Sequence, residues 1–183
     1  MTSATQAAPD AYAAVTEPAT LTIRRLLPAP VERVWAYLTE AELRRRWLAD
    51  GVMDLTQGAG FELVWRNDSL STPSDPRPDG FPAEHRMESR ILEVRPPVRL
   101  VFSWGTAGGS VAFDLTPSEG GTLLTVTHHR LAERDALLSV SAGWHIHLDV
   151  LAAARRDALA VVLVGLEAAE GRLRRPPAEL SRP

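Results

Sequence analysis

The stretch from Ser139 to Arg174 contains no proline and carries the strongest periodic signal in the chain. Placed on a helical wheel, Trp144, Leu148, Leu151, Ala158, Leu159, Val162, Leu166, Ala169 and Leu173 fall on one stripe. Asp149, Arg156, Glu167 and Arg174 fall on the opposite side. A helix with one apolar stripe must lay it against something, and what precedes this one is a series of short strand-like segments. One long helix after a run of strands predicts an antiparallel sheet closing around that helix, an α+β architecture.

The strands follow from two-residue alternation and the turns between them. Leu21 to Leu27 reads as a first strand, stopped by Pro28 and Pro30, which cannot donate to a ladder. Pro30 also suits the first turn of a helix with Val31, Val34, Trp35 and Leu38 on its buried side. Thr39, with Glu42 three residues on, forms a capping box for a second short helix that presents Leu43 and Trp47 and ends at Gly51. Val52 to Leu55 and Phe61 to Arg66 read as a hairpin around Gly58 and Gly60, with Phe61, Leu63 and Trp65 on one face. Residues 67–82 are polar and proline-rich, a surface loop. Strands follow at 84–95, 98–104, 111–115 and 123–129, joined by Pro96-Pro97, Gly108-Gly109 and Gly120-Gly121. In them Leu100, Phe102 and Trp104 share a face, as do Leu124, Val126 and His128. The expectation is a meander of about seven strands with two short helices between the first and second strands. A single domain over residues 20–174 is expected, between a disordered or loosely ordered tail at 1–19 and a short C-terminal tail at 175–183.

Composition narrows the function. The 183 residues, 45% of them hydrophobic, make one domain with a sizeable core. A net charge of -3 gives no electrostatic reason to expect nucleic acid, and the triplet Arg44-Arg45-Arg46 reads as a solvated helix face. Cysteine is absent, which removes disulfides, thiolate nucleophiles and cysteine metal sites, and fits a reducing compartment. The first nineteen residues lack the basic start and apolar core of a signal peptide, and the apolar run 158–164 is too short to span a bilayer. A cytoplasmic protein with no membrane partner is expected.

Four histidines lie close to or within the long helix. Residues two apart on a helix point nearly opposite ways, as do neighbours on a strand. Neither His145 with His147 nor His128 with His129 chelates one metal, and no metal site is expected. His145 and Asp149 share the polar helix face, which suits an exposed ion pair better than a catalytic dyad. His147, at the edge of the apolar stripe beside Leu151, and His128, on an apolar strand face, read either as polar points in an apolar pocket or as core histidines bonded to backbone. Arg155 falls inside the stripe, where it either stands at a cavity mouth or snorkels to water. Trp35 packs in the core; Trp47, Trp65, Trp104 and Trp144 are the tryptophans placed to line a cavity. Residues 158–166 are apolar almost all round, which points to a homodimer contact through Val161 and Val164, or to packing against the N-terminal tail.

The blocks "PAPVERVWAYLTEAELRRRWLADG", "SRILEVRPPVRLVFSWG", "VAFDLTPSEGGTLLTVTHHRL" and "SAGWHIHLDVL" occur in unbroken order over roughly residues 20–155. Together they resemble the branch of the START-like (SRPBCC, Bet v 1-like) superfamily related to the activator of Hsp90 ATPase. The resemblance implies a helix-grip fold: a curved sheet wrapped around the C-terminal helix, with a cavity for an apolar ligand between them. The helix continuing past residue 156 departs from that pattern. The function implied is binding of a small apolar or amphipathic molecule. Trp47, Trp65, Trp104, His128, Trp144, His147, Leu151 and Arg155 are the cavity candidates, with no catalytic residue and no cofactor. Two alternatives stand beside it: a cyclase- or hydrolase-type enzyme with His128 or His147 as base, and a chaperone ATPase activator.

Overall fold

The structure is a computed structural model that describes residues 14–17, 19–70, 82–106, 108–130 and 139–154. Its strands are β1 (Ala14–Glu17), β2 (Thr20–Leu27), β3 (Gly60–Trp65), β4 (His85–Arg95), β5 (Arg99–Trp104), β6 (Gly109–Ser118) and β7 (Gly121–His129). Helices α1 (Val31–Thr39) and α2 (Ala41–Arg44) come between β2 and β3, and a third helix, α3, spans 139–154. The strands form one sheet in the order β1-β2-β7-β6-β5-β4-β3, with every neighbouring pair antiparallel. From β3 to β7 it is the expected meander; the long excursion from β2 returns when β7 pairs with β2.

Residues opposite one another across a ladder share a face, and register collects the apolar set on one side. Leu21 lies opposite His128, Ile23 opposite Val126, Val126 opposite Phe113 and Phe113 opposite Leu100. All of these are buried, and α3 lays Trp144, Leu148 and Leu151 on them. The other face carries ion pairs such as Arg99 with Glu93 at 3.0 Å and with Asp114, which contribute little at an exposed surface.

The sheet has about the expected number of strands, but not the same ones. Residues 52–55 are not a strand. Met53 and Leu55 pack against the core while Val52 is 84% exposed, so the alternation is real, yet only Asp50 bridges to β3, at Val64. Extended chain can bury alternate side chains without a ladder partner. The additional strand is β1, inside the stretch expected to be loosely ordered, where the backbone pairs with β2.

Three further expectations change around α1 and α2. Trp35 is only partly buried; Tyr37, 1% exposed, takes the inner position. Thr39 caps nothing: its hydroxyl donates to the carbonyl of Trp35 one turn back (2.9 Å), and Glu40 precedes α2 without a side-chain cap. Arg44, read as part of a solvated face, is 1% exposed. Its guanidinium donates to the carbonyls of Thr39 (2.9 Å), Leu38 (3.4 Å) and Gly51. Burial lowers its pKa to about 10, with Asp50 pulling the other way, so it stays charged near neutrality. Gly51 lies at φ 119°, and a Cβ there would sit 2.0 Å from the carbonyl oxygen of Glu62, so no other residue fits this turn.

Arg155, Val161 and Val164 lie outside the described residues, as do the second half of the long periodic stretch and the homodimer contact expected there. Among the described residues no helix is long and apolar enough to cross a membrane.

Arg44→Ala leaves carbonyls at the end of α1 and at the Gly51 turn without their donor. At about 1–3 kcal/mol for each buried group left unpaired, a loss of at least about 3 kcal/mol is expected. It should appear as a lower urea midpoint with an unchanged slope. Arg44→Lys, a point donor without the fork, should recover only part of it.

Candidate functional site

At the β3–β5 end of the sheet, the inner face runs out of aliphatic side chains and turns aromatic. Trp65 lies opposite His85 across the β3–β4 ladder, and Leu63 opposite Met87. The rings of Trp65 and His85 are 5.6 Å apart, and those of Trp65 and Trp104 5.8 Å. Helix α3 brings Trp144 to within 5.7 Å of both Trp104 and Phe113, edge-on to the latter. Between these rings and the start of α3 is a cleft of about 500 Å³. Leu48, Trp65, Met87, Trp104, Val140 and Trp144 give it apolar walls, and Asn67, Pro82, His85, Ser139, Gly143 and His147 complete the lining.

Polar bonds fix the helix that forms one wall. The Trp144 indole donates to Nδ1 of His128 (3.2 Å). His147 Nδ1 lies 2.7 Å from the carbonyl oxygen of Trp47, before the chain enters the Gly51 turn. On the far side Arg25 meets His145 Nδ1 at 2.9 Å and Asp149 at 3.4 Å. Arg25 stands opposite Leu124 and so breaks the apolar alternation of β2, pointing inward to hold α3 rather than outward to water. His145 and Asp149 thus meet at a cation from the sheet, and His147 points elsewhere, as two-residue spacing on a helix requires.

The cavity candidates divide. Trp65, Trp104, Trp144 and His147 line the cleft. Trp47 does not: it is fully buried, its indole donates to the carbonyl of Tyr37 (2.8 Å), and its ring is 6.5 Å from that of Phe113. Its neighbour Leu48 reaches the cleft instead. His128 sits behind Trp104 and Trp144 at 1% exposure, and Leu151 is buried core further along α3. His85 and Met87 were missed, although their β4 parity would have placed them once the pairing with Trp65 and Leu63 was known. Gly143 was missed because the lining it gives is the absence of a side chain.

Burial pushes His128 down to about 4, with the charge of His129 adding to the shift. As an acceptor at Nδ1 its neutral ring carries the proton on Nε2. Burial also lowers His147, while its bond to the Trp47 carbonyl acts the other way.

A second cleft of about 470 Å³ lies beyond Leu48, lined by Arg45, Arg46, Asp50 and Arg66 among others. Two of its arginines are engaged locally, Arg66 by Asp50 (3.3 Å) and Glu84 (2.8 Å), Arg45 by Glu42 (2.6 Å). The aromatic cleft is the more apolar of the two, and it lies where the sheet and α3 meet.

Residues 28–155 match the family model described as activator of Hsp90 ATPase homolog 1-like protein. The chain belongs to that family. No protein of curated function matches it. Among solved structures it is similar to the protein encoded by gene BPP1335 of Bordetella parapertussis: 38% identity, TM-score 0.66, covering 83% of this chain and 82% of that one. A Rhodobacter sphaeroides protein shares the fold at 24% identity and TM-score 0.64, covering 79% of this chain and 97% of that one. CalU16 of Micromonospora echinospora is 28% identical with TM-score 0.55, covering 76% and 80% respectively. These structures carry the same α+β helix-grip architecture, an antiparallel sheet with a C-terminal helix on one face.

The lowered pKa of His128 makes stability depend on pH in a stated direction. Above about pH 6.5, the ordinary value, the ring is neutral in folded and unfolded chains and its contribution is complete. As pH falls from there the unfolded state takes the proton first, so stability drops until the folded ring also titrates near 4. The loss is on the order of 3 kcal/mol. In His128→Asn, whose Oδ1 still accepts from Trp144, that part of the slope should disappear from denaturation curves recorded between pH 7 and 4.

Proposed function

We propose that this protein is a small-molecule-binding module that holds an apolar or amphipathic ligand in the aromatic cleft and performs no chemistry on it. The observation that carries the reading is the wall made by Trp65, Trp104 and Trp144 around a space of about 500 Å³. Among the described lining residues there is no carboxylate and no arginine or lysine. Such a site offers stacking, dispersion and burial of apolar surface with a few polar groups for orientation, the usual make-up of a ligand pocket. A cyclase or hydrolase would need a base with an orienting partner. His128 is engaged by Trp144, and His147 is held by a backbone carbonyl rather than a carboxylate, which favours binding over catalysis. The family description speaks of activating a chaperone ATPase; the cleft supports a ligand instead, and the chaperone role has no part in this proposal. Within the same reading the protein works in the cytoplasm, a setting that suits a chain without cysteine.

Native mass spectrometry of freshly purified protein, followed by a thermal-shift screen of apolar and aromatic compounds, tests the reading. A ligand at a hundred times its Kd should stabilise the fold by about 2.7 kcal/mol. Trp104→Ala, which opens the central ring of the wall, should weaken binding by about five- to 150-fold, since a stacking contact on an aromatic side chain is worth about 1–3 kcal/mol. An undiminished shift in that variant would move the ligand elsewhere on the protein.

A further inference from the structure

The cleft is chemically one-sided at His147. Its Nδ1 lies 2.7 Å from the carbonyl oxygen of Trp47, and a carbonyl only accepts, so Nδ1 carries the ring proton. A neutral imidazole has one proton, which leaves Nε2, on a residue that lines the cleft, as an acceptor with no hydrogen-bond partner among the described residues. Burial favours this neutral form. The nearby indoles do not satisfy it, since Trp47 donates to Tyr37 and Trp144 donates to His128.

A second observation is open space one turn away on the same helix face. Gly143 precedes His147 by four residues, so both lie on one face of α3, and both line the cleft. A Cβ built at Gly143 would meet nothing within 4 Å. The helix thus presents a notch one turn before the imidazole, in a cleft that Trp104 and Trp144 also line.

We propose that the cleft selects neutral ligands bearing a hydroxyl donor, a phenol or alcohol on an aromatic or otherwise apolar body, and that Nε2 of His147 is the acceptor that selects them. This rests on the cleft being the ligand site. A ligand without the donor leaves a desolvated acceptor unpaired, and a carboxylate brings an acceptor against an acceptor. An ammonium ion finds no carboxylate among the described lining residues.

The test compares 2-naphthol, 2-methoxynaphthalene and naphthalene by quenching of tryptophan fluorescence. The expected result is 2-naphthol binding about tenfold more tightly than its methyl ether, the worth of one desolvated hydrogen bond. In His147→Phe the ratio of naphthol to ether affinity should fall to about one, whatever happens to the affinity for naphthalene itself. Because His147→Phe also loses the bond to Trp47, ¹⁵N NMR of the wild-type imidazoles supplies a second readout. The Nε2 resonance of His147 should move on adding 2-naphthol and stay in place with the ether. Equal affinity for naphthol and ether, or an Nε2 resonance that ignores both, overturns the donor requirement and leaves the cleft reading standing. Failure of all three probes to bind at millimolar concentration overturns the cleft reading and this inference with it.

Discussion

A guanidinium with almost no contact with water holds this structure's candidate site in place. Arg44 closes the carbonyl end of α1 and fastens it to the turn at Gly51, where the chain runs too close to Glu62 for any side chain. Between those two attachment points lie Trp47 and Leu48. Trp47 fills the core against Phe113 and offers its carbonyl to His147; Leu48 lines the cleft. The wall facing α3 is therefore positioned by a charge that burial makes costly, compensated by carbonyls that would otherwise have no donor.

Helix α3 is held in the same manner from the opposite side. Its apolar stripe supplies contact area, but a stripe can slide and rotate. The polar bonds are directional: Trp144 to His128, His147 to Trp47, and Arg25 to His145 and Asp149. They come from β7, the segment after α2, and β2, so the helix is fixed in position along its axis and in rotation about it. With the helix so placed, Gly143 and the rings of Trp65, Trp104 and Trp144 leave a space that the side chains do not fill. The cleft follows from bulky, rigid groups meeting at an end of the sheet where the helix has a glycine.

Much of this was legible in the residues. Alternation located β3 to β7 because a half-buried strand writes its two faces into every second position. The stripe of α3 announced the helix and its buried face, with Trp144, Leu148 and Leu151 seated as expected. Four of the cavity candidates reached the cleft for the same reason. What misled was local chemistry with more than one tertiary outcome. Met53 and Leu55 alternate as a strand does but have no ladder partner. A run of arginines reads as surface unless the turn that buries one of them is known. Trp47 and His128 carry the right side chains but stand one layer behind the cleft.

The sequence alone determined the architecture: periodicities of two and of 3.6, punctuated by proline and glycine, leave few ways to bury the apolar positions other than a sheet laid against a helix. Only the tertiary structure decided the site. Which histidines line the cleft, which nitrogen of His147 a backbone carbonyl engages, and whether a tryptophan is wall or core depend on register, crossing geometry and hydrogen bonds between residues about a hundred positions apart, such as His147 and Trp47. Such contacts leave no periodic trace in the chain, because each is made once.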